Sequence, residues 1–326
     1  MKKVLMMIAC LALCSLSLEA KADSYKLHGD SAAKFNHAVD LLNNYGGKSA
    51  DLDMAKEELD ETIEENPRFA PAYRELARYY MDAGLISRGR YRKDYMEAAE
   101  KALKKSIETD PNYNEAYILG GHLYLIRNKL KEATSSLEHA EKLDPSDPWL
   151  QIYWADLLLA EKKDKEATKR YYKVLESKKS DHRTEAARYS ALFGLSNYYR
   201  WTGELNKADQ MYRKMIDANP DSAWAHGNYA EFLFCKKDDY ETAIVQSRKA
   251  LKIMDYGIGE YYYAAALYRK WAEAILTKGK DHHMNDLLEA QTIVPDPAVF
   301  VSDERICPPL AKIRQAYIFE TELRDH

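Results

Sequence analysis

Cysteine is scarce in this chain: four among 326 residues, two of them, Cys10 and Cys14, inside an N-terminal apolar stretch. A disulfide framework is therefore excluded as the basis of the fold. The remaining Cys235 and Cys307 are expected as two separate buried thiols, a single bridge being the other arrangement that an oxidising compartment allows. Ten prolines and thirteen glycines are too few for a fibrous or low-complexity chain. The formal charge is −4 with both signs interspersed, so no basic stripe is offered to nucleic acid. Beyond residue 22 no apolar run approaches the ~20 residues of a membrane helix, which argues against a membrane span. The chain also lacks a glycine-rich phosphate loop, a Gly-x-Ser-x-Gly elbow and a His-Glu-x-x-His pair. No catalytic residue, cofactor or metal is read from it, and it is not expected to be an enzyme. His282-His283 is an adjacent histidine pair, but neighbours on a helix do not share a face and no further ligand stands at a zinc spacing.

What is present begins with Met1-Lys2-Lys3, an apolar stretch from Val4 to Leu18, and Ala20-Lys21-Ala22. A short positive start, an apolar core too short to span a bilayer, and small residues at the Ala-x-Ala positions predict a signal peptide, 1–22, cleaved after Ala22. The expected location is outside the cytoplasm, with the periplasm first. Lipid attachment at Cys14 is opposed by Leu13 before it, and at Cys10 by the stub of apolar core that would remain.

The rest is rich in Glu, Lys, Ala, Leu and Tyr, the composition of helices packed on helices. Prolines at 67, 111, 145, 220 and 295 each close an amphipathic segment, and 34 residues separate Pro111 from Pro145. Twelve residues before four of these prolines stand Ala55, Ala99, Ala133 and Ala208. Twelve residues upstream of Ala133, Ala167 and Ala208 lie Gly121, Ala155 and Ser196. Small residues at fixed spacing mark where two helices of a hairpin approach closely, so Gly121 is expected to face Ala133. Gly120, next to it, has no such explanation from spacing.

This pattern resembles the tetratricopeptide repeat (TPR) family, whose units are 34-residue helix-turn-helix pairs. The unit from Asn114 to Pro145 shows Tyr117, Gly120, Gly121, Tyr124, Ala133, Leu137, Ala140 and Pro145. The unit ending at Pro220 shows Leu192, Leu195, Ser196, Tyr199, Gly203, Ala208 and Met211. The resemblance implies an all-α fold, a right-handed α-solenoid of stacked antiparallel helix pairs. A lead at 23–30, about seven pairs over 31–297 and a capping segment with a terminal helix at 298–326 are expected. The unit that begins at Tyr73 is interrupted by about ten extra residues, 85–94, which either extend a helix or form a recognition loop.

In the family the first helix of each pair lines a groove that grips partner segments. The corresponding positions here are Arg74, Arg78, His122, Trp149, Tyr153, Asp156, Asn197, Trp201, Trp224, Asn228, Glu231, Tyr262 and Arg269. Aromatics with polar ends, arginines and amides suit an extended or helical peptide. Asn197 and Asn228 match the asparagines with which family members hold a peptide's backbone and terminal carboxylate. Phe193, Gly259 and Tyr263 stand where those members carry basic residues, which weighs against a carboxylate clamp. The implied function is a non-catalytic scaffold or adaptor with a protein or peptide partner, and homo-oligomerisation through a repeat face stays open. The alternative is a small-ligand or saccharide-binding accessory protein of an envelope system, its tyrosines stacking on the ligand. Tyrosine pairs such as Tyr171-Tyr172, Tyr198-Tyr199 and Tyr261-Tyr262-Tyr263 should each give one ring to the core and another to the surface.

Overall fold

A computed structural model describes residues 27–43, 45, 49–87, 90–254, 257–278, 284–303 and 307–324. The expected signal peptide and the His282-His283 pair lie outside the described residues. The chain divides into two compact units, residues 1–170 and 171–326, each with its own packing.

In the first unit, α1 (Gly29–Asn43) packs on α2 (Ser49–Glu65), α3 (Ala70–Ala83) on α4 (Lys93–Thr109), and α5 (Asn114–Ile126) on α6 (Leu130–Leu143). Helix α7 (Pro148–Ala160) follows, and α8 (Asp164–Leu175) starts in this unit. The core is built from small and branched residues: Ala55, Ala99, Ala133 and Ala155, which spacing singled out, are wholly buried, as are Ala77, Leu59, Leu123 and Leu137.

The second unit holds α9 (His182–Thr202) with α10 (Leu205–Ala218), α11 (Ala223–Lys237) with α12 (Tyr240–Ile253), and α13 (Gly257–Lys278) with α14 (Met284–Ile293). A 3₁₀ segment (Pro297–Asp303) leads to α15 (Leu310–Arg324), which packs on α13. This core is more aromatic, with Tyr171, Tyr212, Tyr229, Phe232, Phe234, Tyr268 and Trp271 buried.

The turn inside a helix pair recurs in detail. Asn128, Lys162, Gly203 and Asp238 each take positive φ, at 56°, 61°, 81° and 53°, between the two helices of their pair. A left-handed residue ends a helix and reverses the chain within a few residues. Glycine does this without a Cβ penalty, yet only one of the four positions uses it. Helix starts are capped where the sequence supplies Asp or Ser. Asp147 accepts from the amides of Trp149 and Leu150, Asp181 from Thr184, Ser222 from Ala225 and Asp239 from Thr242.

A Cβ built on Gly121 would stand 2.4 Å from Leu137 Cδ2, so Gly121 is a point of close approach within its helix pair. Gly120 gains an explanation, since its Cβ would stand 2.8 Å from Ser136 Oγ, which donates to the Tyr117 carbonyl at 2.9 Å. Cys235 and Cys307 are joined as a disulfide across 72 residues, with Cα atoms 4.5 Å apart, which holds Cys307 beside the end of α11. Tyr171-Tyr172 and Tyr198-Tyr199 do divide between core and surface, but Tyr262 and Tyr263 are both buried.

The extra residues near 85–94 neither extend a helix nor form an irregular loop. They build a two-stranded antiparallel hairpin, β1 (Leu85–Ser87) and β2 (Arg90–Tyr91), with Leu85 opposite Tyr91 and Ser87 opposite Arg90. Among the described residues no helix is long and apolar enough to cross a membrane.

Candidate functional site

The first helices of successive pairs lie side by side within each unit, and cross-helix contacts give their register. In the second unit Tyr189 Oη and Ser222 Oγ are 3.3 Å apart, and Arg200 Nη2 donates to Glu231 Oε1 at 2.9 Å. These two contacts, eleven and nine residues apart on their helices, run α9 parallel to α11. The offset sets Phe193 beside the Trp224 end of α11, and Asn197 between that point and the Arg200–Glu231 pair. Phe193 and Trp224 are exposed, the latter at 45%, and Trp201 is 83% exposed at the end of α9. Asn197 is half-buried, and the Asn228 amide nitrogen donates to the Trp224 carbonyl one turn back at 2.8 Å. Two exposed tryptophans, an exposed phenylalanine and two amides thus occupy one face of two adjacent helices.

Glu231, Tyr262 and Arg269 stand on the same sequence positions but do not present an open surface. Glu231 is buried against Arg200, whose guanidinium stays firmly charged because Glu231 outweighs the cost of its burial. Tyr262 is buried, with its ring 5.2 Å from that of Tyr261. Arg269 is 2% exposed and held by Asp238 and Glu273, with the Tyr240 ring 5.0 Å from its guanidinium carbon. Arg200 is a member of this face that repeat positions alone did not select. Its signal is its place one turn before Gly203, next to the Glu231 helix.

The face of the first unit has a different chemistry. On α3, Arg74 ion-pairs with Glu75, and Arg78 reaches back to α1, donating to Asn43 Oδ1 at 2.7 Å and to the Leu42 carbonyl at 2.8 Å. Arg74 remains charged although burial opposes it, because Glu75 lies alongside and Tyr113 and Glu115 at the start of α5 add to its field. Asp82 is pushed up to about 6 by burial and by Glu75, against the pull of Arg78. Further along, the His122 ring stacks on Tyr153 at 4.4 Å and 17°, and Trp149 lies 5.8 Å from the same tyrosine. Burial lowers His122 to about 4, so the ring is neutral near pH 7. Asp156, one turn beyond Tyr153, is half-buried. Glu75, Asp82, Tyr113 and Glu115 belong to this face without having been singled out by sequence spacing.

No family model matches the chain, and no curated protein matches it in sequence. Solved structures do resemble it. A thermophilic TPR protein of Thermus thermophilus aligns with 62% of this chain and 98% of its own, at TM-score 0.50 and 19% identity. A chain of the APC/C hetero-tetramer Cut9–Hcn1 aligns with 73% of this chain at TM-score 0.50 and 14% identity. The match spans only 46% of that chain of the complex. A monomeric mutant of IFIT1 with Gppp-AAAA aligns with 90% of this chain and 72% of its own, at TM-score 0.57 and 11% identity.

Proposed function

We propose that this chain, which has the tetratricopeptide-repeat fold, is a non-catalytic scaffold that holds a segment of a partner protein against the first-helix face of its second unit. Proteins of this fold characteristically act through bound peptides or protein partners. The observation that carries the reading is the exposure of Trp201 and Trp224 on adjacent first helices. Large aromatics left in water near hydrogen-bonding amides are the composition of a binding hot spot. A partner segment would cover the tryptophans with apolar side chains and offer backbone groups to Asn197 and Asn228. In the first unit the Trp149–Tyr153–His122 stack offers a second contact face, to which we assign Asp156 on the same helix and Arg74 and Arg78 on α3. The N-terminal sequence supports action in the cell envelope, with the periplasm as the site.

The test is affinity capture with the chain from Asp23 to His326 from an envelope extract of its own host, with crosslinking and mass spectrometry. A protein crosslinked along α9 and α11, and lost in a Trp201→Ala/Trp224→Ala variant, is the expected result. Absence of any such protein, together with thermal stabilisation by saccharides, overturns it in favour of a sugar-stacking face.

A further inference from the structure

Two second helices, α2 and α8, carry opposite charge at matching intervals. Residues 162–179, around α8, hold eight basic side chains and three acidic ones, whereas 51–65, on α2, hold eight acidic and one basic. On α8 the exposed Lys165, Lys169 and Lys173 follow one another at four residues, about 6 Å per step along the axis. The acids of that helix, Asp164 and Glu166, stand one residue to either side of Lys165 and so point about 100° away from it. On α2 the exposed Asp53, Glu57, Asp60 and Glu64 recur at four, three and four residues and form the corresponding acidic line. Lys56 takes Asp60 as its partner. Among the described residues Lys165, Lys169, Lys173, Asp53, Glu57 and Glu64 form no ion pair.

Within one molecule these lines cost stability. Like charges four residues apart on a helix repel, and α2 ends on Glu64 and Glu65 with no basic residue in its last turn, where the helix dipole disfavours acids. Elsewhere the chain settles such charges locally, as in Lys34–Asp30, Lys56–Asp60 and Arg213–Asp209, each pair four residues apart. We propose that the α8 line of one molecule docks on the α2 line of a second copy in a head-to-tail contact. The chain supplies both halves of that contact, at spacings that two helices laid side by side bring into register. A twofold contact through either line would set like charge on like, so the arrangement is heterologous and extends to a ring or a filament instead of stopping as a symmetric dimer. Both lines lie on second helices, so the contact leaves the Trp201–Trp224 face of the first helices free. Exposed pairs are individually weak, about fivefold in affinity at most, so the assembly is reversible and salt-dependent.

The experiment is sedimentation velocity of the chain from Asp23 to His326, which keeps every described residue, across a concentration series at about 10 mM and about 1 M salt, where the screening length is about 30 Å and about 3 Å. The wild-type chain should self-associate at low salt and run as a monomer at high salt. Lys165→Glu/Lys169→Glu/Lys173→Glu and Asp53→Lys/Glu57→Lys/Glu64→Lys should each melt near the wild-type temperature, yet associate at least about tenfold more weakly. An equimolar mixture of the two variants should associate again, because each retains the line that the other has lost. Should a triple variant melt early, Lys169→Glu and Glu57→Lys make the same test with one charge each. A wild-type chain that stays monomeric at low salt, association that neither variant weakens, or a mixture that does not recover would each overturn the proposal. So would lysines that capture an acidic protein or anionic vesicles while the chain itself stays monomeric, which would make the α8 line a site for a foreign polyanion.

Discussion

Arg269 grips Asp238 with two parallel hydrogen bonds, Nε to Oδ1 at 3.0 Å and Nη2 to Oδ2 at 2.9 Å, and Lys312 of α15 donates to the same carboxylate at 2.7 Å. Asp238 is the left-handed residue in the α11–α12 turn, so one carboxylate fixes a turn, the next first helix and the terminal helix together. Arg269→Ala would leave Asp238 facing an emptied buried site. Asp238 is partly exposed and keeps Lys312, so a loss of about 1 to 3 kcal/mol is expected, measured as a lowered urea midpoint. Arg269→Lys should recover little of it, because an ammonium cannot make the bidentate contact.

The Cys235–Cys307 bridge ties the terminal segment to α11 across 72 residues. In the chain-entropy account a loop of this size stabilises by about 4 kcal/mol. Cys307→Ser should lower the melting temperature, make α15 the first site of limited proteolysis, and remove the effect of added reductant on the melt. A wild-type melt indifferent to reductant would show that the bridge carries no stability.

Gly121→Ala sets two effects against each other. Alanine gains about 1 kcal/mol of helix propensity, but its Cβ would meet Leu137 Cδ2 at 2.4 Å inside the α5–α6 contact. Overpacking of a dense core costs about 1 to 3 kcal/mol. Net destabilisation is expected, with partial rescue by Leu137→Val. A more stable Gly121→Ala would show that the pair can spread at no cost.

His122 makes a pH prediction. Burial holds it at about 4, below its ordinary 6.5. The neutral ring is favoured by folding, so the unfolded chain binds more protons between those values. This contribution to stability is therefore complete above pH 6.5 and is lost as pH falls toward 4, by at most about 3 kcal/mol. His122→Phe keeps the stack on Tyr153 and cannot titrate. The wild-type minus variant stability difference should shrink as pH drops from 7 to 4. A constant difference would mean that the ring titrates as it does in water.

Trp201 and Trp224 should matter for capture and not for folding. Both are exposed, so Trp201→Ala and Trp224→Ala should shift the melting temperature by little. Partner capture should fall about tenfold or more for each, as for buried aromatic anchors at interfaces. Equal capture by both variants would move the contact to another face.

The repeat was legible because its signals are local and periodic. A proline that closes each pair and a small residue that lets two helices touch are demanded by packing wherever the unit recurs. Ala55, Ala99, Ala133 and Ala155 are wholly buried as that spacing requires. The same logic marked Gly121 as a close helix contact, while the structure shows that the Leu137 side chain fills the space beside it. It could not separate Trp201 from Arg269. Both sit on a first helix at repeat positions that read as groove-facing, yet one stands in water and the other is enclosed by Asp238, Glu273 and Tyr240.

The amino-acid sequence by itself determined the helices, their pairing and the cadence of small residues, because each depends on neighbours within about 34 positions. Only the tertiary structure decided the Cys235–Cys307 bridge, the Asp238–Arg269–Lys312 tie and the hairpin between α3 and α4. The bridge and the tie join residues from separate elements, 72 positions apart for the cysteines and 74 for Asp238 and Lys312. No local propensity encodes such meetings; they follow from how whole helices pack. The hairpin is local in sequence, but its form depends on where α3 and α4 end, and the packing of that pair fixes those ends.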